Sequence, residues 1–196
     1  MSKVKICGIT NLEDALCAVE AGADALGFVF YEKSPRYITP QNALKIVKEL
    51  PPFIERVGLF VNVPYEEINA TCKEAQMSLA QIHFEVQETF YERLDVPYLK
   101  VIRATCKEDL EKNKNEYRIL DAFVESYGGE GKRVELEWFK EVDCSKIILA
   151  GGLSAANVEE VKKLNFYGLD VSSGVESSKG KKECQKIQEF IQKVKN

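Results

Sequence analysis

The sequence contains a single histidine, and its six cysteines include no CxxC pair. Structural zinc sites are built from closely spaced cysteines and histidines, so this composition argues against a metal site of that kind. A chain of 196 residues also buries enough apolar surface to fold without disulfide bonds. We therefore expect no bound metal and free thiols in a reducing cytoplasm. The thiols belong to Cys7, Cys17, Cys72, Cys106, Cys144 and Cys184.

Long apolar runs and an excess of positive charge are also absent. No apolar segment approaches the roughly 18 residues of a membrane-spanning helix. A strand pattern begins so early that we expect no signal peptide. With 27 lysines and arginines against 31 aspartates and glutamates, the net charge is −4, which disfavours nucleic acids and anionic membranes as partners. Since no linker divides the chain, we expect one cytoplasmic domain over residues 1–196.

Short β-rich segments alternate with longer helical patterns along the whole chain. Successive strand centres lie about 20–30 residues apart, the length of one strand, one helix and two short loops. The predicted strands are 4–7, 25–30, 56–61, 79–83, 98–104, 117–122, 146–151 and 167–172. Eight such units in one domain predict a minimal (β/α)8 TIM barrel. An open doubly wound sheet is the alternative, but no GxGxxG motif follows the first strand.

Helix signals occupy the segments between these strands. Thr10 fits a capping box at the start of the first helix. Thr39 and Pro40 are typical of an N-cap and a first helical residue, and Ser154 of a cap for the seventh helix. The fifth segment, residues 107–116, is mostly charged, so we expect it to form the weakest helix.

Two side chains at predicted strand ends are candidates for acid–base chemistry. Alternation places Lys5 and Cys7 on one face of the first strand, and Ile119 and Asp121 on one face of the sixth. The opposite faces are apolar and suit packing against helices, so these four residues should point into the barrel, with Cys7 and Asp121 at its catalytic mouth. A thiol acts as a base only as a thiolate, which the charge of Lys5 would favour. The structural alternatives are a small buried residue for Cys7 and a turn cap for Asp121.

Substrate contacts are predicted in the loops that follow the other strands. Arg36, in SPRYI, presents a planar fork suited to a carboxylate, unless it is a solvated surface arginine. His83 ends the fourth strand and is either a ligand contact or a structural histidine, and Asp170 either binds a substrate amine or ties its loop. Glycine-bearing turns after the last three strands offer backbone N–H groups to a phosphate. The residues expected there are Gly129, Gly151, Gly152, Ser173 and Gly174.

Together these motifs resemble the phosphoribosylanthranilate isomerase family of tryptophan biosynthesis. The matching segments run in the family's order over almost the whole chain. They are KICGIT with NLEDA, GADALGFVFYEKSPRYITP, RVGLFVN, QIH, ILDA, YGGEGK, AGGLSAANV and DVSSGVESSKGKK. Two segments depart from the family pattern. Phe84 follows QIH where glycine is common, and RVELEW (133–138) replaces a shorter approach to an Asp-Trp pair.

The resemblance implies an Amadori rearrangement of N-(5-phosphoribosyl)anthranilate to 1-(2-carboxyphenylamino)-1-deoxyribulose 5-phosphate. By matching position, Cys7 would be the general base, Asp121 the general acid and Arg36 the contact of the anthranilate carboxylate. The substrate's own nitrogen serves as the electron sink, so the resemblance implies no metal or organic cofactor. Either a monomer or a homodimer suits a barrel of this size.

Three other functions fit parts of the same pattern. The aminoaldose isomerases of histidine biosynthesis catalyse the same type of reaction, but carry an aspartate where Cys7 stands. A bifunctional isomerase would serve both pathways. A barrel that binds a phosphorylated ligand without turnover would not need the combination of Cys7 and Asp121, and a turnover assay would distinguish it.

Overall fold

A computed structural model of the protein describes residues 1–122 and 135–196. Its main sheet is a closed barrel of eight parallel strands, in which β8 pairs back onto β1. The strands are β1 Lys3–Cys7, β2 Ala25–Val29, β3 Glu55–Phe60, β4 Leu79–Ile82, β5 Tyr98–Ala104, β6 Arg118–Ala122, β7 Ile147–Ala150 and β8 Gly168–Val171. Each predicted strand is present to within one residue at either end, and the predicted TIM barrel is confirmed.

The helical layer is less regular than the strand layer. The α-helices are α1 Leu12–Glu20, α2 Pro40–Val47, α3 Tyr65–Ala75, α4 Glu88–Tyr91, α5 Val158–Lys162 and α6 Cys184–Lys195. Short 3₁₀ helices span Lys107–Glu111, Leu136–Phe139 and Ser173–Val175. The prediction of a weak fifth helix is confirmed, because the charged segment after β5 forms only a short 3₁₀ turn. In the described part of the chain, no helix is long and apolar enough to cross a membrane.

The helix starts show where local sequence signals succeed and fail. Thr39 caps α2 as predicted, and Pro40 is the first helical residue. The cap predicted at Thr10 is wrong, because Oδ1 of Asn11 accepts a hydrogen bond from the Asp14 backbone N–H at 2.8 Å and caps α1. The Thr10 hydroxyl instead donates to a distant backbone carbonyl near the C-terminus, a partner that local capping rules do not consider.

The faces of the strands divide the core into two parts. Outward residues such as Val4 and Ile6 are fully buried in a large apolar cluster that also includes side chains of the surrounding helices. A smaller cluster contains Leu99, Val101, Ile119 and Ala150, with Leu79 and Ile148 packed against it. The strand alternation predicted from the sequence therefore separates the helix-facing side chains from the smaller interior cluster.

One pair of cysteines departs from the expectation of free thiols. Cys17 on α1 and Cys184 on α6 form a disulfide, with their Cα atoms 5.8 Å apart, while the remaining four cysteines are free. The two cysteines are 167 positions apart in the sequence. They meet because closure of the barrel between β1 and β8 brings the first and last helices together. No short-range cysteine motif encodes such a contact.

A small hairpin precedes the last helix and was not predicted. Strands β9 (Glu176–Ser178) and β10 (Lys181–Lys182) pair antiparallel, apart from the barrel. They follow directly on the 3₁₀ turn after β8, so the hairpin lies at the end of the barrel where the strands have their carboxyl termini. It therefore lies beside the loops expected to bind substrate.

Candidate active site

The end of β1 brings a thiol and a buried ammonium group together. A Cβ atom placed on Gly27 of β2 would lie 2.8 Å from Sγ of Cys7 and 3.0 Å from Nζ of Lys5, so both side chains lie on that face of β2. Nζ of Lys5 also donates to both carboxylate oxygens of Asp170 at 3.0 Å. These contacts show that Lys5 and Cys7 share one face, as the strand alternation predicted.

The thiol is protonated at rest in this environment. Burial raises the pKa of Cys7 above its ordinary value, and the charges of Lys5 and Lys182 oppose that rise without reversing it. Burial would lower the pKa of Lys5, but the charges and hydrogen bonds of Asp170 and Cys7 together outweigh burial and keep that pKa raised. Lys5 therefore favours the thiolate as expected, but the negative charge of Asp170 offsets part of its effect on Cys7.

A histidine and a carboxylate approach each other at the ends of β4 and β6. Nε2 of the buried His83 lies 3.8 Å from Oδ2 of Asp121, whose side chain is 13% exposed. The pKa of His83 is lowered to about 4, first by burial and then by the positive charges of Arg103 and Lys5. Near neutral pH, His83 is therefore an uncharged imidazole, while Asp121 remains partly open to the mouth.

Arg103 is a residue at the mouth that the sequence analysis missed. It lies one residue before the end of β5, and its Cα atom is in register with that of Asp121 on β6. Leu99 and Val101, which belong to the smaller interior cluster, share its strand face. The same alternation rule that selected Cys7 and Asp121 would therefore have identified Arg103.

Two backbone loops pack against each other after β7 and β8. Gly151 and Gly152 adopt positive φ angles of 91° and 62°, a region that glycine enters readily. Ser173 and Gly174 begin the 3₁₀ turn after β8, and a Cβ atom on Gly174 would collide with the Leu153 carbonyl oxygen. Absence of side-chain bulk therefore allows the two predicted phosphate-binding loops to touch.

The helix that follows the first of these loops starts later than predicted. Ser154 does not cap it, because α5 begins only at Val158, and the Ser154 backbone N–H donates to Oδ1 of Asn157 at 3.0 Å. Nδ2 of Asn157 donates in turn to the Gly152 carbonyl at 2.9 Å, which braces the loop. Gly129, which belongs to the remaining glycine-bearing turn predicted to bind phosphate, lies outside the described residues.

Arg36 is a buried residue of the mouth, so the surface alternative for it is wrong. It is 9% exposed, and a Cβ atom on Gly8 would lie 2.6 Å from its Cδ. Its Nε and Nη2 donate to Oε1 and Oε2 of Glu176 at 2.7 and 2.8 Å. Arg36 therefore packs against Gly8, the residue after Cys7. It is held there by the carboxylate of Glu176, which the sequence analysis did not identify.

The mouth of the barrel thus combines groups suited to proton transfer with groups suited to anion binding. A thiol, a carboxyl group and an uncharged imidazole lie at the ends of three of the strands, and an arginine and two glycine-bearing loops lie around them. Among residues 1–122 and 135–196, no group of three or more His, Cys, Asp or Glu side chains could hold a metal ion. The arrangement suits acid–base chemistry on a small anionic molecule.

Comparison with protein families gives a match over nearly the full length. The family model described as N-(5'phosphoribosyl)anthranilate (PRA) isomerase matches residues 4–193. The chain is 64% identical over 193 residues to the N-(5'-phosphoribosyl)anthranilate isomerase of a Nitratiruptor species, covering 98% of both chains. It is 59% identical over 194 residues to that of a Sulfurovum species, covering 99% of both.

Solved structures give the same result for the fold. The phosphoribosyl anthranilate isomerase of Thermus thermophilus superposes with a TM-score of 0.88 at 36% identity, covering 98% of both chains. A second isomerase structure, in complex with reduced 1-(o-carboxyphenylamino)-1-deoxyribulose 5-phosphate, gives 0.85 at 39% identity over 100% of this chain and 99% of that one. Monomers generated from the dimeric Thermotoga maritima enzyme give 0.85 at 37% identity, covering all of both chains.

Proposed function

The chain belongs to the N-(5'-phosphoribosyl)anthranilate isomerase family, and we propose that it performs the isomerisation with Cys7 as general base and Asp121 as general acid. The substrate is N-(5-phosphoribosyl)anthranilate, an intermediate of tryptophan biosynthesis. The observation that carries the proposal is the presence of an inward thiol at the end of β1 and a partly open carboxyl group at the end of β6. These strand ends form the face where TIM barrels place their chemistry.

In the first step, Asp121 acts as the acid. It begins the cycle protonated and donates its proton to the ring oxygen of the ribose. The bond between that oxygen and C1′ breaks, the nitrogen lone pair forms a C=N bond, and the ring opens to a protonated Schiff base. General acid catalysis of this kind contributes about 10²–10⁴-fold to a rate. His83 lies 3.8 Å from Asp121 and is uncharged near neutral pH, so it does not form an ion pair with that carboxyl group.

In the second step, Cys7 acts as the base. Its thiolate removes the proton from C2′, and the electrons of that C–H bond flow to the iminium nitrogen and leave an enolamine. The enolamine then tautomerises to the ketose, so the reaction needs no external oxidant or reductant. The pKa of Cys7 is raised by burial, so the thiolate is the minor form at rest. The positive charges of Lys5 and Lys182 stabilise that thiolate when it forms.

The loops around Cys7 and Asp121 would bind the parts of the substrate that do not react. Arg36 would contact the anthranilate carboxylate through the edge of the guanidinium that Glu176 does not occupy. Asp170 and His83 would line the ribose, with Asp170 also holding Lys5 in place. The 5′-phosphate would accept hydrogen bonds from backbone N–H groups of the last loops. These residues are Gly129, Gly151, Gly152, Ser173 and Gly174.

A turnover assay tests this proposal and separates it from binding without reaction. Phosphoribosylanthranilate is generated in situ, and the loss of anthranilate-type fluorescence is followed after addition of protein. Wild type should consume the substrate rapidly, and Cys7→Ala should be slower by at least about 10²-fold. Cys72→Ala is the matched control, since it removes another buried thiol, from α3, and should retain activity.

Two outcomes of that assay would contradict the proposal. No fluorescence loss with wild type would indicate a barrel that binds without reacting, or an isomerase for a different aminoaldose such as the histidine-pathway substrate. Normal rates with Cys7→Ala would remove the thiol from the mechanism. We further propose a cytoplasmic monomer or homodimer, and the dimeric Thermotoga relative supports the second state.

A further inference from the structure

The arginine assigned to the carboxylate is itself held by a buried acidic residue. Glu176 grips the Nε–Nη2 edge of the Arg36 guanidinium in a two-point contact of 2.7 and 2.8 Å. The side chains of Arg36 and Glu176 are only 10% and 6% exposed. A two-point contact fixes both the position and the plane of the guanidinium, and directs its Nη1 edge away from Glu176.

Glu176 neutralises the positive charge of Arg36, and Lys182 adds a second positive charge beside the pair. Nζ of Lys182, whose side chain is fully buried, donates to Oε1 of Glu176 at 3.0 Å and to the carbonyl and hydroxyl oxygens of Ser172 at 3.1 and 3.3 Å. Three acceptors match the three donors of an ammonium group. The Ser172 hydroxyl donates onward to the Cys7 carbonyl at 3.0 Å. Burial lowers the pKa of Lys182, and the charge of Glu176 opposes that fall. With Lys182 protonated, Arg36, Glu176 and Lys182 together carry a net charge of +1 beside the mouth.

Glu176 is ionised in this arrangement. Burial alone would raise its pKa, but the hydrogen bonds and charges of Arg36 and Lys182 together outweigh burial and hold the pKa below its ordinary value. The carboxylate therefore accepts hydrogen bonds from two cations near neutral pH. Removing either cation would leave a buried negative charge with one partner fewer, which is strongly unfavourable.

The β9–β10 hairpin that carries Glu176 and Lys182 is fastened to the first two loops of the barrel. The Thr10 hydroxyl donates to the Gly180 carbonyl at 2.7 Å, and a Cβ atom on Gly180 would lie 2.6 Å from the carbonyl oxygen of Pro35. The backbone N–H of Lys182 donates to Oδ2 of Asp14 at 2.8 Å. The hairpin therefore has a fixed position relative to the residue that precedes Arg36.

From this geometry we propose that Glu176 and Lys182 are specificity-determining positioning residues, which aim Arg36 at a carboxylate on the aromatic part of the substrate and keep the site cationic. The proposal rests on the proposed function, in which Arg36 contacts that carboxylate. Neither residue touches the reacting atoms. Glu176 acts through Arg36, and Lys182 acts through its contact with Glu176 and through its positive charge. Without Glu176 the guanidinium loses its anchor, and without Lys182 the Arg36–Glu176 pair is neutral overall and attracts an anion less.

A pair of non-reacting ligands tests the proposal. One is reduced 1-(o-carboxyphenylamino)-1-deoxyribulose 5-phosphate, and the other is the same compound made with aniline, which lacks the carboxylate. Wild type should bind the carboxylate ligand at least about tenfold more tightly, as expected for a charge-assisted hydrogen bond. In Glu176→Gln and Lys182→Met, Kd for this ligand should rise by a similar factor, while Kd for the aniline ligand should change less than about twofold.

Two controls separate positioning from a general loss of structure. Glu183→Gln, which breaks an exposed ion pair with Lys186 beside the same hairpin, should bind both ligands normally. Adding Glu176→Gln to Arg36→Ala should cost no further affinity, because Glu176 acts only through Arg36. Losses that multiply in the double variant, or that are equal for both ligands, would overturn the proposal.

The results also separate this inference from the proposed function. If wild type does not distinguish the two ligands, the assignment of Arg36 to the carboxylate fails, and the positioning role fails with it. If wild type distinguishes them and Glu176→Gln does so equally well, only the positioning role is wrong.

Discussion

Lys5 and Asp170 form a buried ion pair across the seam where the barrel closes, with Nζ of Lys5 3.0 Å from both carboxylate oxygens. Both side chains are 6% exposed, and Sγ of Cys7 lies on the same face as Lys5. Pairing with Asp170 compensates for part of the desolvation free energy of burying the Lys5 ammonium group in the barrel interior. The negative charge of Asp170 also offsets part of the effect of Lys5 on the thiol, whose pKa stays above its ordinary value.

We predict that the reactivity of the Cys7 thiol rises with pH across the neutral to alkaline range. The pKa of Cys7 is raised by burial, and only the thiolate is nucleophilic, so the rate at which iodoacetamide alkylates Cys7 should increase as pH increases toward that pKa. His83 should add no step near its usual pKa of about 6.5, because its pKa is lowered to about 4. The alkylation rate of Cys7, followed by mass spectrometry from about pH 6 to about pH 9, checks both points. An alkylation rate that does not change over this range would exclude a protonated resting thiol.

Contact between the last two loops should control phosphate binding. In Gly174→Ala, the new methyl group meets the Leu153 carbonyl and forces the loops apart. We expect KM to rise, and inhibition by inorganic phosphate to weaken, by about tenfold, comparable to losing a hydrogen bond to a charged group. Gly168→Ala lies at the other end of β8, where the nearest atom would be 3.2 Å from the new Cβ, and serves as the matched control. Unchanged phosphate inhibition in Gly174→Ala would exclude these loops as the phosphate site.

The bond between Cys17 and Cys184 should stabilise the folded barrel. It closes a long segment of chain, so reduction should lower the free energy of unfolding by about 2–5 kcal/mol. Denaturant unfolding with and without a reducing agent measures this difference. Cys17→Ser should resemble the reduced wild type and should not respond to reductant, whereas Cys106→Ser should respond as wild type does. Equal unfolding midpoints with and without reductant in wild type would show that the bond does not contribute.

The strand layer could be predicted from the sequence because its signals are local. β-rich segments at regular spacing gave all eight strands, and alternation gave the shared face of Lys5 and Cys7. Each signal requires only neighbours within a few residues. The repeated strand–helix unit then leaves few closed arrangements, of which the barrel is one.

The contacts that the sequence did not predict join distant parts of the chain. Arg36 and Glu176 are 140 positions apart, and the disulfide joins residues 167 positions apart. Thr10 was misassigned as a helix cap because its actual partner, Gly180, lies on the distant hairpin. These pairs form only when the barrel closes, so no periodicity or local motif in the sequence predicts them.

Chemical trapping of the open-chain Schiff base tests the roles of Cys7 and Asp121 most directly. Wild type, Cys7→Ala and Asp121→Asn are mixed with phosphoribosylanthranilate and quenched with borodeuteride, which places deuterium on C1 of the Schiff base but on C2 of the ketose. The position of the deuterium in the fragment mass spectra then distinguishes the two species. The account predicts that Cys7→Ala accumulates trapped Schiff base and forms no ketose, while Asp121→Asn forms neither above the protein-free background. Ketose formation by Cys7→Ala, or Schiff base from Asp121→Asn at the level of Cys7→Ala, would contradict it.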